Sequence, residues 1–276
     1  MYIFLVILIT LAVAVIHNIK VKNNQTLQLD GLANIGSIKL LISLVQKHRG
    51  LSSAKLNGDN AKSAEIATIE RTINNICHDL SHSKVAKNHR WVSFLDHWGR
   101  LTNNNNTERD PQNNFKQHTT MIANLLYVLE DEAESSHLSS LSLPTMPNVG
   151  FVWRELVAST EAIGQTRAIG VGVATIGNCN SVDKIRLSFL EQNIIKTSKD
   201  TLSKLSCLDD FRQQHNTLLT NAQNKMLTLS KIIEDELIKK QTITINPNDY
   251  FTLATDTISA IDDIFDNQIE QIKIAL

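Results

Sequence analysis

Proline and glycine are scarce in this chain, with four Pro and ten Gly in 276 residues, and aromatic side chains make up only 5%. All-β folds spend Pro and Gly on many turns and draw aromatics into strands, so the shortage points to helix. Neither sign of charge dominates: 27 Lys+Arg stand against 28 Asp+Glu, a formal net charge of −1. Phosphate binding needs a basic face, so this balance argues against a nucleic-acid partner. Cys77, Cys179 and Cys207 are odd in number, far apart and form no CxxC pair. Neither a disulfide framework nor a thiolate metal site is expected, and free buried thiols fit a reducing compartment. A Ser-His-Asp order, a catalytic carboxylate pair and a phosphate loop are also missing, so the chain is not expected to be an enzyme or to carry a cofactor.

What is present begins with an apolar run. Met1 to Ile16 is interrupted only by Thr10, and His17, Asn18, Lys20 and Lys22 follow. A membrane-spanning helix needs about 20 apolar residues, with a lower range near 17, and Ile19 and snorkelling lysines extend this run towards that length. A cleavable signal peptide, the alternative, wants positive charge before the apolar stretch, whereas here the lysines come after it. Residues 1–22 are therefore expected to form a retained single-pass anchor. The positive-inside rule places the body on the cytoplasmic side of an inner membrane.

From Leu27 onwards apolar residues recur at helical spacing. Helices are expected over about 32–56, 61–80, 83–101 and 115–134, with a polar, Asn-rich loop at 103–114. A Ser-rich break carrying Pro144 and Pro147 and ending at Gly150 divides a first half, about 32–140, from a second, about 150–276. The second half repeats the plan, with a helix over 151–176, a turn at 177–180, and helices starting near Val182, Leu208 and Tyr250. Asn246-Pro247-Asn248-Asp249 reads as a helix start, with proline in the first turn and an acid at the positive end of the dipole. Phe251, Ala254, Ile258, Ile261, Phe265, Ile269 and Ile272 then form one stripe. Gln241–Ile245 alternates like a strand but is too short to change the all-α assignment.

The most informative residues are two arginines set inside apolar stripes, one in the first helix of each half. Arg49 shares a face with Ile38, Leu41, Ile42, Val45, Ser52, Ser53 and Leu56. Arg167 lies among Leu156, Thr160, Ile163, Gly170, Val171 and Ala174. The two helices superpose with Arg49 on Arg167, Val45 on Ile163, Ser52 on Gly170 and Leu56 on Ala174. A guanidinium on a core-facing side is costly unless an anion or several acceptors meet it. No carboxylate lies three or four residues away on either face; the neighbours are Gln46, Ser52 and Ser53 in one helix, Gly164 and Gly170 in the other. Two guanidinium forks with small residues beside them suit a planar oxyanion. The alternative is that each arginine pairs with an acid from another helix, such as Asp256, Asp262, Asp263 or Glu270.

At these residues the sequence resembles the nitrate- and nitrite-sensing domain family. The family's first signature, a glutamine-arginine-glutamate-arginine-glycine core and a small residue, reads here as Gln46-Lys47-His48-Arg49-Gly50-Leu51-Ser52. The second, lysine-glutamate and then glycine, glutamate, arginine and alanine, is similar to Thr160-Glu161-Ala162-Ile163-Gly164-Gln165-Thr166-Arg167-Ala168. An aromatic near the start of a late helix followed by threonine matches Tyr250, Phe251 and Thr255 or Thr257. The resemblance runs from about Asn34 to Gln268. It implies two four-helix bundles sharing an interface, with nitrate or nitrite between them and Arg49 and Arg167 as ligands. His48 and Thr166 depart from the family's glutamates, Lys47 from an arginine and Thr160 from a lysine.

Two weaker patterns remain. His78 and His82, four apart, could present two imidazoles on one face, but no third ligand is identifiable, so no metal site is expected. Gly170-Val171-Gly172 with Gly177 lacks a preceding strand and reads as a helix contact, not a nucleotide loop. The combined expectation is a membrane-anchored signal-input protein that binds a small oxyanion between its bundles and signals through a separate output partner, with a homodimer left open. The competing expectation is a helical scaffold that keeps the fold without the anion.

Overall fold

The computed structural model describes residues 2–103 and 110–276, with the backbone alone for residues 3 and 5–9. It is all-α, and among the described residues there is no strand. The first helix, α1 (Tyr2–Leu56), runs 55 residues without a break. The sequence reading separated an anchor from a helix starting near 32. The largely polar stretch from His17 to Gln25 is exposed and instead stays helical, because none of its residues breaks a helix.

Beyond that stretch α1 buries one face. Leu32, Ile35, Ile38, Leu41, Ile42 and Val45 are inaccessible at three- and four-residue steps. Against it pack α2 (Ser63–Leu80) and α4 (Pro111–Ser135), and α3 (His89–Thr102) lies on α4. Asn88 caps α3 by accepting from the Arg90 and Trp91 amides at 2.7 and 3.3 Å. Trp91, Phe94, Trp98 and Leu101 then form its inner stripe. Asp110 caps α4, its carboxylate accepting from the Asn113 amide at 2.8 Å, with Pro111 in the first turn. That start lies inside the stretch expected to be loop, of which residues 104–109 fall outside the described residues. Near the other end of α4, Gln28 Nε2 donates to the His137 carbonyl at 2.9 Å and Asn34 Nδ2 to Glu132 at 2.8 Å, which fixes α1 and α4 antiparallel.

The Ser- and Pro-containing break packs as part of the core. Leu138, Leu143, Met146 and Val149 are buried, and Trp153 Nε1 donates to the Leu138 carbonyl at 2.9 Å. A π-turn at Val152–Leu156 leads into α5 (Val157–Ile176), which ends at Gly177 in the left-handed conformation, φ 76°. The second bundle continues with α6 (Ser181–Lys196), α7 (Arg212–Ile232) and α8 (Pro247–Ala275). Asn246 caps α8 through the Asn248 and Asp249 amides, and Pro247 opens it. The bundles meet where α5 touches α1 and α4. One apolar core runs through both.

Candidate anion-binding site

Arg49 lies on the α1 face turned towards α4 and α5 and is 1% exposed. Its Nη1 donates to Glu161 Oε1 at 2.6 Å and its Nη2 to Glu161 Oε2 at 3.2 Å, a bidentate pair across the two bundles. Gln46 Nε2 donates to the same carboxylate at 2.9 Å, and so does Gln165 Nε2 from the next turn of α5. Arg49 Nη1 also reaches Thr119 Oγ1 at 3.1 Å, and the guanidinium lies 5.2 Å from the centroid of Phe115. Its Nε is fully buried and has no partner among the described residues.

Arg49 is thus met by Glu161 and by none of the acids weighed from the sequence. Asp262 instead pairs with Lys39 at 2.5 Å. Glu161 stood in the second motif, but its partner lies 112 residues upstream, and only the packing of α5 on α1 brings them together.

Arg167 lies on α5, half-buried. Its Nη1 donates to Thr255 Oγ1 at 2.9 Å, and it stacks over Phe251 at 5.1 Å. Among the described residues no carboxylate pairs with it. Burial first, then the nearby positive charge of Arg49, pull its pKa down, and Glu161 pulls it back up.

These two environments are copies of one another. Arg49 has Phe115 and Thr119 from α4; Arg167 has Phe251 and Thr255 from α8. In both cases the ring and the hydroxyl are four residues apart on one helical face. The signal was present in the sequence: Asp110-Pro111 precedes Phe115 and Thr119 in the same register as Asn246-Pro247 precedes Phe251 and Thr255. The copied helix start near 110 was not recognised because its flank is rich in asparagine.

The small residues have distinct tasks. A Cβ on Gly164 would sit 3.2 Å from Arg49 Nη2 and 3.6 Å from Gln46 Cδ, so glycine leaves room for the guanidinium. A Cβ on Gly170 would come within 2.5 Å of Tyr250 Cζ, and Tyr250 Oη, inaccessible to solvent, donates to the Thr166 carbonyl at 3.0 Å. Ser52 and Ser53 face Asn114 of α4. Ser53 accepts from Asn114 Nδ2 at 3.2 Å, and Ser52 Oγ donates to the His48 carbonyl at 2.6 Å.

The positions departing from the family glutamates point elsewhere. Thr166 Oγ1 donates to the Ile163 carbonyl at 2.8 Å. His48 is buried in a relay: Nδ1 meets His118 Nε2 at 2.7 Å and Nε2 meets Glu70 at 3.1 Å. His118 Nδ1 faces the Asn114 carbonyl, which only accepts, so Nδ1 donates there. In a neutral His118 the other nitrogen then accepts from His48. His78 and His82 stack edge-on at the surface, and among the described residues no group of three His, Cys, Asp or Glu could hold a metal.

No family model and no curated protein matches the sequence. Among solved structures, one match has a TM-score of 0.68 at 15% identity, covering 95% of this chain and 74% of the other. That structure is the NasR transcription antiterminator. At this identity the likeness shows a shared fold, spanning nearly all of α1 to α8.

Proposed function

We propose that the protein is a membrane-anchored signal-input module that binds nitrate or nitrite between its two bundles. The observation that carries this reading is the pair of pseudo-equivalent arginines at the seam, one of which, Arg167, is half-buried with no carboxylate partner among the described residues. A guanidinium held away from water by an aromatic face and a threonine is prepared for a small oxyanion. The family resemblance and the fold shared with a transcription antiterminator support a regulatory role over an enzymatic one. Binding at the seam biases the packing of α5 against α1, and a partner protein reads that change.

The anchor reading rests on α1. From Tyr2 to Ile19 the helix is about 27 Å long, close to the thickness of a bilayer core. Leu11, Val13, Val15, Ile16 and Ile19 are all more than half exposed, covered by nothing among the described residues. Lys20 and Lys22 follow the span and set the body in the cytoplasm.

Titration calorimetry of the full chain in detergent with nitrate and nitrite tests the function. Heat and thermal stabilisation at millimolar ligand are expected; silence with both anions refutes it. One observation favours the scaffold reading instead: Glu161 already fills the fork of Arg49. A scaffold shows no anion response and retains its stability without one.

A further inference from the structure

Glu161 is a planar carboxylate seated in a guanidinium fork, which is the geometry that nitrite or nitrate would adopt there. The Arg49 side of the seam is therefore already occupied by an oxyanion belonging to the chain. The Arg167 side reproduces the phenylalanine and the threonine but not the carboxylate.

The pseudo-symmetry explains the gap. The shift of 118 residues that takes Arg49 to Arg167 also takes Gln46 to Gly164, and these two equivalent positions face each other. Equivalent positions in mutual contact lie on the two-fold axis, as in an isologous interface. The same axis makes Ser43 of α1 the counterpart of Glu161 of α5, six residues before each arginine. A serine stands at the counterpart position, its Oγ accepting from Lys39 Nζ at 3.5 Å.

The charge count follows. Arg49 and Arg167 carry two positive charges and Glu161 one negative. Among these three side chains one positive charge is left uncompensated, and Arg49 and Glu161 are the charges that bear on Arg167. Among the described residues, Arg49 Nε is also a buried donor without a partner.

Resting on the anion-sensing reading, we infer that the ligand takes on Arg167 and Thr255 the place that Glu161 takes on Arg49, and that Glu161 restricts the site to monovalent oxyanions. A monoanion neutralises the seam. A dianion such as sulfate leaves it with a negative charge in a half-buried setting beside Glu161, where like charges repel strongly. Glu161 is thus a specificity-determining residue.

Two variants of the full chain in detergent test this, read by thermal shift and calorimetry with nitrate, nitrite and sulfate. The wild type should respond to the two monoanions and prefer them to sulfate by about tenfold or more. Glu161→Gln keeps the shape and removes the charge, so its nitrate-to-sulfate preference should collapse by a similar factor. Ser43→Glu supplies the missing carboxylate to Arg167. It should lose the nitrate response and melt higher than the empty wild type, and it does not depend on Glu161→Gln folding. A Glu161→Gln protein with the wild-type preference, or a Ser43→Glu protein that binds nitrate as the wild type does, overturns the inference and leaves sensing intact. A wild type silent to nitrate and nitrite fails at the earlier step, the proposed function itself.

Discussion

Replacing Gly170 by alanine places a methyl group against the ring of Tyr250, within 2.5 Å of Cζ and 2.8 Å of the hydroxyl oxygen. Tyr250 cannot retreat into solvent, because it is inaccessible and tied to the Thr166 carbonyl at 3.0 Å. Either α5 and α8 separate or the ring leaves its rotamer and the hydrogen bond. Overpacking of this kind costs about 1–3 kcal/mol, and the lost hydrogen bond adds about 1 kcal/mol. Against this, alanine in a helix interior gains about 0.5–1 kcal/mol over glycine. The net loss is about 2 kcal/mol, which lowers the melting temperature by roughly 4–8 °C in a chain of this size. Gly172, on the same helix with nothing within 4 Å of its position, is the control. Its alanine variant should gain the propensity term and melt slightly higher than wild type. The assay is thermal unfolding by far-ultraviolet circular dichroism at one scan rate. A Tyr250→Ala background should erase the cost at Gly170, because the two residues are in contact. If Gly170→Ala melts with or above Gly172→Ala, the packing argument is refuted.

Other consequences can be measured. Arg49→Met leaves the Glu161 carboxylate buried without its cation and should destabilise by about 3–5 kcal/mol in denaturant unfolding, whereas the double variant Arg49→Met/Glu161→Leu should lose much less. Burial pushes the Cys77 thiol up to about 12, so iodoacetamide at about pH 8 should leave it unmodified in the folded protein and label it after unfolding, as mass spectrometry would report. Burial holds the His215 pKa below its ordinary value, so the folded state takes up that proton less readily than the unfolded chain. Stability is then level above the unfolded pKa of about 6.5 and falls as pH drops below it. A His215→Gln variant should show a shallower fall, and an unchanged slope would contradict the assignment. Deleting residues 1–22 should move the protein from the membrane fraction to the soluble one.

The arginine stripes were legible because a charge on an apolar face stands out against helical periodicity, and so were the paired aromatic and threonine of α8. The partner of Arg49 was not, because Glu161 is chosen by how α5 lies on α1, and no local spacing encodes that. Residues 17–25 looked like a boundary because they are polar, yet polarity ends an apolar face without ending a helix. The buried break after α4 was hidden for the opposite reason. Its prolines and serines signal a turn, while Leu138, Leu143, Met146 and Val149 are spread too irregularly to read as a core face.

The unbroken first helix has a mechanical consequence. Between Lys22 and Arg49 it spans about 40 Å as one uninterrupted helix without proline. One continuous helix therefore links the arginine to the foot of the apolar segment. The helix that bears Thr255 returns to the same level, where the Leu276 carbonyl accepts a hydrogen bond from Gln25 at 3.1 Å. Two levers, one carrying Arg49 and one carrying the threonine that touches Arg167, therefore close side by side at the foot of the apolar segment. Under the proposed function, a ligand that shifts the guanidinium groups would be read there as a relative displacement of the two helices.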